Sequence, residues 1–482
     1  MDKRTRDPNN TTEEQIDRLA GKCVSRREFL RVAGIAGATI GMGAGLAGAL
    51  AACGEAEETT TTGATTATTA GSTTTVSAGA EMGREIKVGF SSPGTGIYAS
   101  FGVPDGWCVD KWNVAFKDGL LCGDGLVHPL NIIVKDNQSD SNRASQVAGD
   151  LINNDKVDVV ICDSTPDLVN PASDQCEAAG MPCVSNDAPW QAYFFGRNGD
   201  PKVGFKWTYH MFWGLDEIHA NFFDMWAKIP NNKTVGGMWP NDADGNAWRP
   251  AWLQKFEELG GWTVVDPGAF QLGTEDFTQM ISLFKKEGVE IITGVMPPPD
   301  FTNFWKQAIQ QGLQPKFLTM AKALLFPQSV EALGAIATNT TTECWWSPYH
   351  PFKSSLTGET TAELAADFEE ATGTQWTQPI LHYALMEVVS DVLKRTADID
   401  DKEQIIEAVR TTKMDTMAGP IDFTEPVDPM GNHPVPNVYK TPQVGSQWVP
   451  GTGKWPFELT IVSNPVAPMV PVQAEVQPMP TI

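Results

Sequence analysis

The sequence predicts an α/β fold of two Rossmann-like lobes, each built on a parallel sheet. Three observations predict it. From Arg84 onward, short runs rich in β-branched residues alternate with stretches of helical period, the pattern of βαβ units. The alternation restarts at Thr234, so two runs of similar size follow one another. Hydrophobic residues make up 41% and charged residues 20% of the 482, a globular balance with room for two or three domains.

In chain order, strands are expected at 86–90, 130–134, 157–161 and 182–185, with helices at 101–116, 142–153 and 168–179 between them. The second run gives strands at 234–238, 262–265, 289–295 and 317–320. Its helices carry apolar stripes: Trp248, Trp252, Phe256 and Leu259 on 247–259, then Phe277, Ile281 and Phe284, then 301–311. Stripes at this spacing face a core. Helices at 380–394 and 402–410 follow, then short strands at 419–423 and 436–439, and an extended Pro/Val-rich tail after Ser463. A ligand site in such a fold belongs in the crevice at the carboxyl ends of the strands.

Upstream of this body the texture differs. Arg26 and Arg27 precede an uncharged Gly/Ala-rich stretch that ends at Leu50-Ala51-Ala52-Cys53. Paired arginines before an apolar run mark a twin-arginine export signal, and the closing tetrapeptide resembles a lipobox, with Cys53 as the lipidated residue. Residues 1–52 therefore read as the signal segment. Residues 53–83, dominated by threonine, cannot offset their ordering entropy by burial and read as a flexible tether. A Gly43-Ala44-Gly45-Leu46-Ala47-Gly48 match to a dinucleotide fingerprint lies inside the export stretch, without the flanking strand and helix it needs, and is set aside. The 430 residues after Ala52 hold 27 bases against 53 acids. That imbalance excludes nucleic-acid partners and leaves the lipid as the only membrane attachment.

Five stretches then resemble, in order, the type I extracytoplasmic solute-binding proteins of ATP-driven importers, in particular the branched-chain amino-acid-binding group. They are Ile86-Lys87-Val88-Gly89-Phe90-Ser91-Ser92-Pro93-Gly94, Lys135-Asp136-Asn137-Gln138-Ser139-Asp140, Asp163-Ser164-Thr165, Gly273-Thr274-Glu275-Asp276-Phe277, and Met417-Ala418-Gly419-Pro420-Ile421-Asp422-Phe423. The resemblance implies two lobes joined by a three-segment hinge, with crossings near 206–210, near 342–346 and ahead of Gly419. It places 84–208 with 346–415 in lobe 1, 209–345 with 416–460 in lobe 2, and 461–482 in an extended tail. It implies capture of an amino acid or related small carboxylate or amide, delivery to a membrane permease, no cofactor and no metal, and a monomer. A ligand-sensing receptor subunit of the same fold is the alternative. An enzyme is disfavoured, because the body lacks a G-x-S-x-G elbow, an H-E-x-x-H helix and a phosphate loop.

By position, the resemblance turns Ser91, Ser92 and Tyr98 toward the cleft. It sets Ser164 and Thr165 where hydroxyls and a helix start receive a carboxylate; a plain helix cap is the other reading of that pair. Asn186, Asp187 and Trp190 line the same side, and Asp242, Asp244, Trp248, Met296 and Lys322 face them from the second lobe. Lys322 stands near an expected acid. A buried lysine needs a negative partner, either the ligand or Asp187, which argues against a plain branched-chain amino acid. Six cysteines lie in the body. Cys108 with Cys122, and Cys162 with Cys183, are the disulfide candidates, with free buried thiols as the alternative.

Overall fold

The computed structural model describes residues 81–428 and 434–481. The export segment with Arg26, Arg27 and Cys53, and nearly all of the tether, lie outside the described residues. No helix among the described residues is long and apolar enough to cross a membrane.

The first sheet has six parallel strands, in the order Val438–Tyr439, Thr208–Met211, Cys183–Ser185, Val159–Cys162, Ile86–Ser92, Leu130–Asp136. Both faces of the sheet are covered, so its central strands read as continuous apolar runs rather than alternating ones. Val159 and Ile161 pack with Trp112 on one face, whereas Val160 and Cys162 pack with Val147 and Val169 on the other. Helices Asp105–Ala115 and Tyr383–Arg395 belong to the first face, and Ser141–Asp150 and Pro166–Ala179 to the second.

The second sheet runs Ala269–Phe270, Thr234–Pro240, Ile291–Met296, Phe317–Lys322, Thr341–Cys344, Val444–Pro450, Phe457–Ser463, and Thr263–Val265 also pairs with Thr234–Pro240. Its last two pairings are antiparallel and the rest parallel. Beneath it, Phe222, Phe223, Trp226, Trp252, Phe256 and Trp262 form one aromatic cluster. The expected stripe holds except at Leu259, which is half exposed at the last turn of helix Ala243–Leu259.

The chain crosses between lobes three times, at 212–214, 345–346 and 440–443. The first and third lie further along the chain than the resemblance implies. Thr208–Met211 is itself a strand of the first sheet, which moves the first crossing past it. The hairpin Lys413–Thr416/Gly419–Asp422 stays with the first lobe, because the Met417 N–H donates to buried Glu387 on helix Tyr383–Arg395 at 2.8 Å. Val438–Tyr439 then pairs with Thr208–Met211, so 416–439 belong with lobe 1 rather than lobe 2. The residues after Ser463 lack regular structure but are tied down. Gln473 N–H donates to the Ile461 carbonyl at 2.8 Å and Met479 N–H to that of Lys316 at 2.9 Å, with Val470 and Val476 buried.

The six described cysteines are free and buried. Cys108 is fixed in the core by its helix while the Cys122 thiol turns to the Leu120 carbonyl at 3.6 Å. Cys162 and Cys183 sit on neighbouring strands with sulfurs 4.0 Å apart, twice a disulfide bond length. Alkylation under denaturing conditions without reductant is expected to label all six; unlabelled pairs in the mass spectrum would contradict this.

Candidate functional site

The two sheets present the carboxyl ends of their strands to a common cleft, and the site is assembled there. Five non-glycine residues with left-handed backbone stand at these ends: Gln138 (φ 58°) and Ser139 (φ 56°) after Leu130–Asp136, Ser164 (φ 88°) after Val159–Cys162, Asp187 (φ 67°) after Cys183–Ser185, and Lys322 (φ 66°) closing Phe317–Lys322. Such conformations cost about 1–3 kcal/mol each and gather at functional sites.

The cleft is closed. Tyr98 donates its hydroxyl to Asp242 Oδ2 across it at 3.2 Å. The starts of helices Pro166–Ala179 and Ala243–Leu259 meet, with Ala243 N–H donating to Asp167 Oδ1 at 3.0 Å. The interior is walled by Phe101, Phe212, Trp213, Trp248, Val295, Leu325 and Trp345, and its polar lining is Thr165, Asp187, Asp244, Lys322 and Glu343. About 20 Å³ remains free, room for one water. A solute therefore enters only when the lobes part. A separate groove of about 270 Å³, lined by Met82, Phe116, Lys117 and Ile132 among others, lies at the edge strand of the first sheet and shares no residue with the cleft.

Many polar atoms in and behind this interior have no partner in the protein. They include the Ser164 and Thr165 hydroxyls, both side-chain atoms of Asn186, Asp187 Oδ1, Asp244 Oδ1, and the indole N–H groups of Trp213, Trp248 and Trp345. Buried polar groups are nearly always paired, so a concentration of orphans marks a place built for something else to bond. Thr165 holds the cap position of its helix, yet its side chain makes no cap bond. The capping role weighed for Ser164 and Thr165 is not what occupies them.

Lys322 departs from expectation. Its ammonium pairs with Asp244, lies 3.7 Å from Asp242 Oδ2 and sits 4.9 Å from the Tyr98 ring centroid. Burial opposes its charge, but Asp244, Tyr98, Asp242 and Asp167 outweigh that and hold its pKa well above the ordinary lysine value. Its partners come from helix Ala243–Leu259 and its cap, one strand end away. Neither Asp187 nor a free ligand carboxylate is needed, and the argument for an anionic solute loses its footing. Asp187 instead accepts from His382 Nε2.

The remaining expected residues divide. Ser91 accepts from Asn137 Nδ2 at 3.3 Å and Ser92 donates to Asp105 Oδ2 at 2.5 Å, so both are held within the first lobe. Asp242 caps its helix by accepting from Gly245 N–H at 2.7 Å. Trp190 packs on Phe195 and donates its backbone N–H to the Trp213 carbonyl at the first crossing. Met296 is core. Neither Trp190 nor Met296 lines the interior. Sequence reasoning missed Phe101, Phe212, Leu325, Glu343 and Trp345 in the lining, and His382 behind it. Two of them, Phe212 and Trp345, lie where the chain passes from one sheet to the other.

Burial raises the carboxyls of Asp167 (beside Asp242), Glu217 (beside Asp216), Glu343 and Glu387 to about 7. It lowers the imidazoles of His210, His219 and His350 to about 3. The two sets act oppositely. Raised carboxyls take up protons on folding, so their contribution grows as pH falls through about 7. Depressed histidines are protonated first in the unfolded chain, so their contribution is lost as pH falls below about 6.5. The carboxyls act first on the descending scale. Thermal stability is expected to rise from pH 8 to about 6.5 and then flatten; a melting temperature that falls over that first interval would contradict the assignment.

Two parallel-sheet lobes, hinged by three strands of chain and closing on an aromatic, polar-lined cleft, define a solute-binding protein. Residues 85–439 match the periplasmic binding protein family, and the chain belongs to that family. Solved structures share the fold. A leucine-binding protein from Thermotoga maritima superposes with a TM-score of 0.61 at 17% identity, over 78% of this chain and 99% of its own. The branched-chain amino-acid transporter substrate-binding protein of Streptococcus pneumoniae, in complex with isoleucine, gives 0.60 at 18%, over 79% and 99%. A solute-binding protein of an ABC transporter from Rhodopseudomonas palustris, in complex with 3,4-dihydroxybenzoic acid, gives 0.62 at 19%, over 79% and 96%.

Proposed function

We propose that this chain is the extracytoplasmic solute-receiving subunit of an ATP-driven importer and that its solute is a small zwitterion with an apolar or aromatic side chain. Export through Arg26 and Arg27, anchoring through Cys53 and delivery to a membrane permease belong to the same reading. The observation that carries the solute class is the pairing of orphans across the cleft. Hydroxyl and indole donors at Thr165, Trp213, Trp248 and Trp345 await an acceptor such as a carboxylate. The orphan oxygens of Asp187 and Asp244 await a donor such as an ammonium group. Five aromatic rings and two aliphatic side chains wall the space between them. The ligands of two neighbours, isoleucine and a hydroxylated benzoic acid, are compatible with such a cleft.

The mechanism is exchange. In the closed form the lobes are held by Tyr98–Asp242 and Asp167–Ala243. A solute shifts the population only through contacts that differ between the open and closed forms, and the orphan atoms supply those contacts. Thermal-shift screening of amino acids, dicarboxylates, amides and sugars tests this, because a ligand of the folded form stabilises by RT ln(1 + [L]/Kd). Stabilisation by apolar or aromatic amino acids is expected. Stabilisation by dicarboxylates or sugars alone would overturn the solute class.

A further inference from the structure

Behind the lining of the cleft, three acids surround one histidine, and of the three only Asp187 also lines the cleft. His382 ends the single turn Gln378–His382 and is fully buried. Its Nδ1 lies 2.7 Å from Asp105 Oδ1 and 3.0 Å from Asp163 Oδ2, and its Nε2 bonds Asp187 Oδ2. Asp105 starts helix Asp105–Ala115 and Asp163 follows strand Val159–Cys162, so three separate elements converge here.

Hydrogen bonding alone does not satisfy this arrangement. One Nδ1 proton can serve one carboxylate, and Asp105 is nearer. Neither oxygen of Asp163 receives a hydrogen bond, although the residue is completely buried. With Nε2–H donating to Asp187, the neutral ring turns its Nδ1 lone pair toward Asp105 and Asp163, and three electron-rich atoms face one another within 4.8 Å. A carboxylate that orients an imidazole from behind while its other nitrogen faces acidic oxygens is the outer shell of a metal-bound histidine. Ser92 does the same for Asp105, donating to its second oxygen.

We propose that His382 Nδ1, Asp105 and Asp163 form a buried site for one divalent transition-metal ion, Zn²⁺ or Mn²⁺, in the first lobe. One imidazole nitrogen with two carboxylate oxygens suits these ions better than Ca²⁺ or Mg²⁺, which take oxygen donors throughout. Two carboxylates balance the ion's charge. The ion ties the helix start, the strand end and the 378–382 turn together, and Asp187 joins it to the cleft: one oxygen holds His382 and the other faces the solute space.

The test uses the full chain, stripped with chelator and dialysed against Zn²⁺, Mn²⁺ or Mg²⁺. One Zn²⁺ or Mn²⁺ retained per chain is expected, with a melting temperature that rises until one equivalent is added and no such response to Mg²⁺. Asp163→Asn and His382→Gln are each expected to abolish retention. X-ray absorption on the loaded wild-type chain should show one imidazole among oxygen donors, a readout that stands even if both variants fail to fold. No retained ion, retention unchanged in folded Asp163→Asn, or a first shell without imidazole would each overturn the site and leave His382 as an imidazolium among its acids. Solute binding by the stripped chain is scored separately, so failure here is distinguishable from failure of the cleft reading.

Discussion

Replacing Lys322 with methionine is expected to remove about 3–5 kcal/mol of stability at pH 8, the usual effect of breaking a buried pair from one side. The lysine is the only cation touching Asp244 and Asp242 among the described ion pairs, and all three side chains are at most 4% exposed. Without it, two carboxylates remain buried against the Tyr98 ring and hydroxyl. The deficit should shrink toward pH 5. Burial already raises the Asp244 carboxyl, and losing the ammonium raises it further. A folded pKa above the unfolded one means proton uptake on folding, so the variant gains stability as pH falls. Thermal unfolding of both chains at pH 8 and pH 5 checks this. Equal melting temperatures at pH 8 would show that the lysine is not the counter-ion.

The second large effect separates binding from folding. In Ser164→Ala/Thr165→Val, two hydroxyls without protein partners are removed and the helix loses no cap bond. Stability should change by less than about 0.5 kcal/mol or improve slightly, since deleting an unsatisfied buried polar group relieves a cost. Affinity for the solute should fall about 100-fold or more, because a hydrogen bond to a charged group contributes roughly 1.5–3 kcal/mol. Calorimetric titration with the best stabilising amino acid measures it. Unchanged affinity would remove both residues from the site.

What the sequence could reveal followed burial. Val159–Cys162 and Ile291–Met296 are buried throughout and write themselves as β-branched, almost wholly apolar runs, and Ile86–Ser92 departs from that only at Lys87 and its two closing serines. Thr208–Met211 is short and carries Thr, Tyr and His, so it reads as a crossing, whereas 436–439 reads as a short strand but was given to the second lobe instead of pairing with Thr208–Met211. Ser164, Thr165, Asp187 and Lys322 came by position from the resemblance, and they stand at strand ends, which face the crevice in this topology. The left-handed backbone of Ser164, Asp187 and Lys322 was not legible, since none is glycine. Lys322 illustrates the limit: its burial was legible, but its partner was a matter of which helix cap closes over it. His382 was out of reach altogether. It meets Asp105 across 277 residues of sequence and Asp187 across 195. A search for closely spaced histidines cannot see one ring held by acids from three distant segments.

The two ends of the folded body are fastened to opposite halves. Gly83 N–H donates to the Val127 carbonyl, and Arg84 clasps Asp158 and Asp400; at the other end Met479 bonds Lys316 and Asn339 holds Pro478. A fluorophore at residue 81 and another at residue 480 would therefore ride on different jaws. Energy transfer between them becomes a ruler for the gape of the molecule, readable in real time.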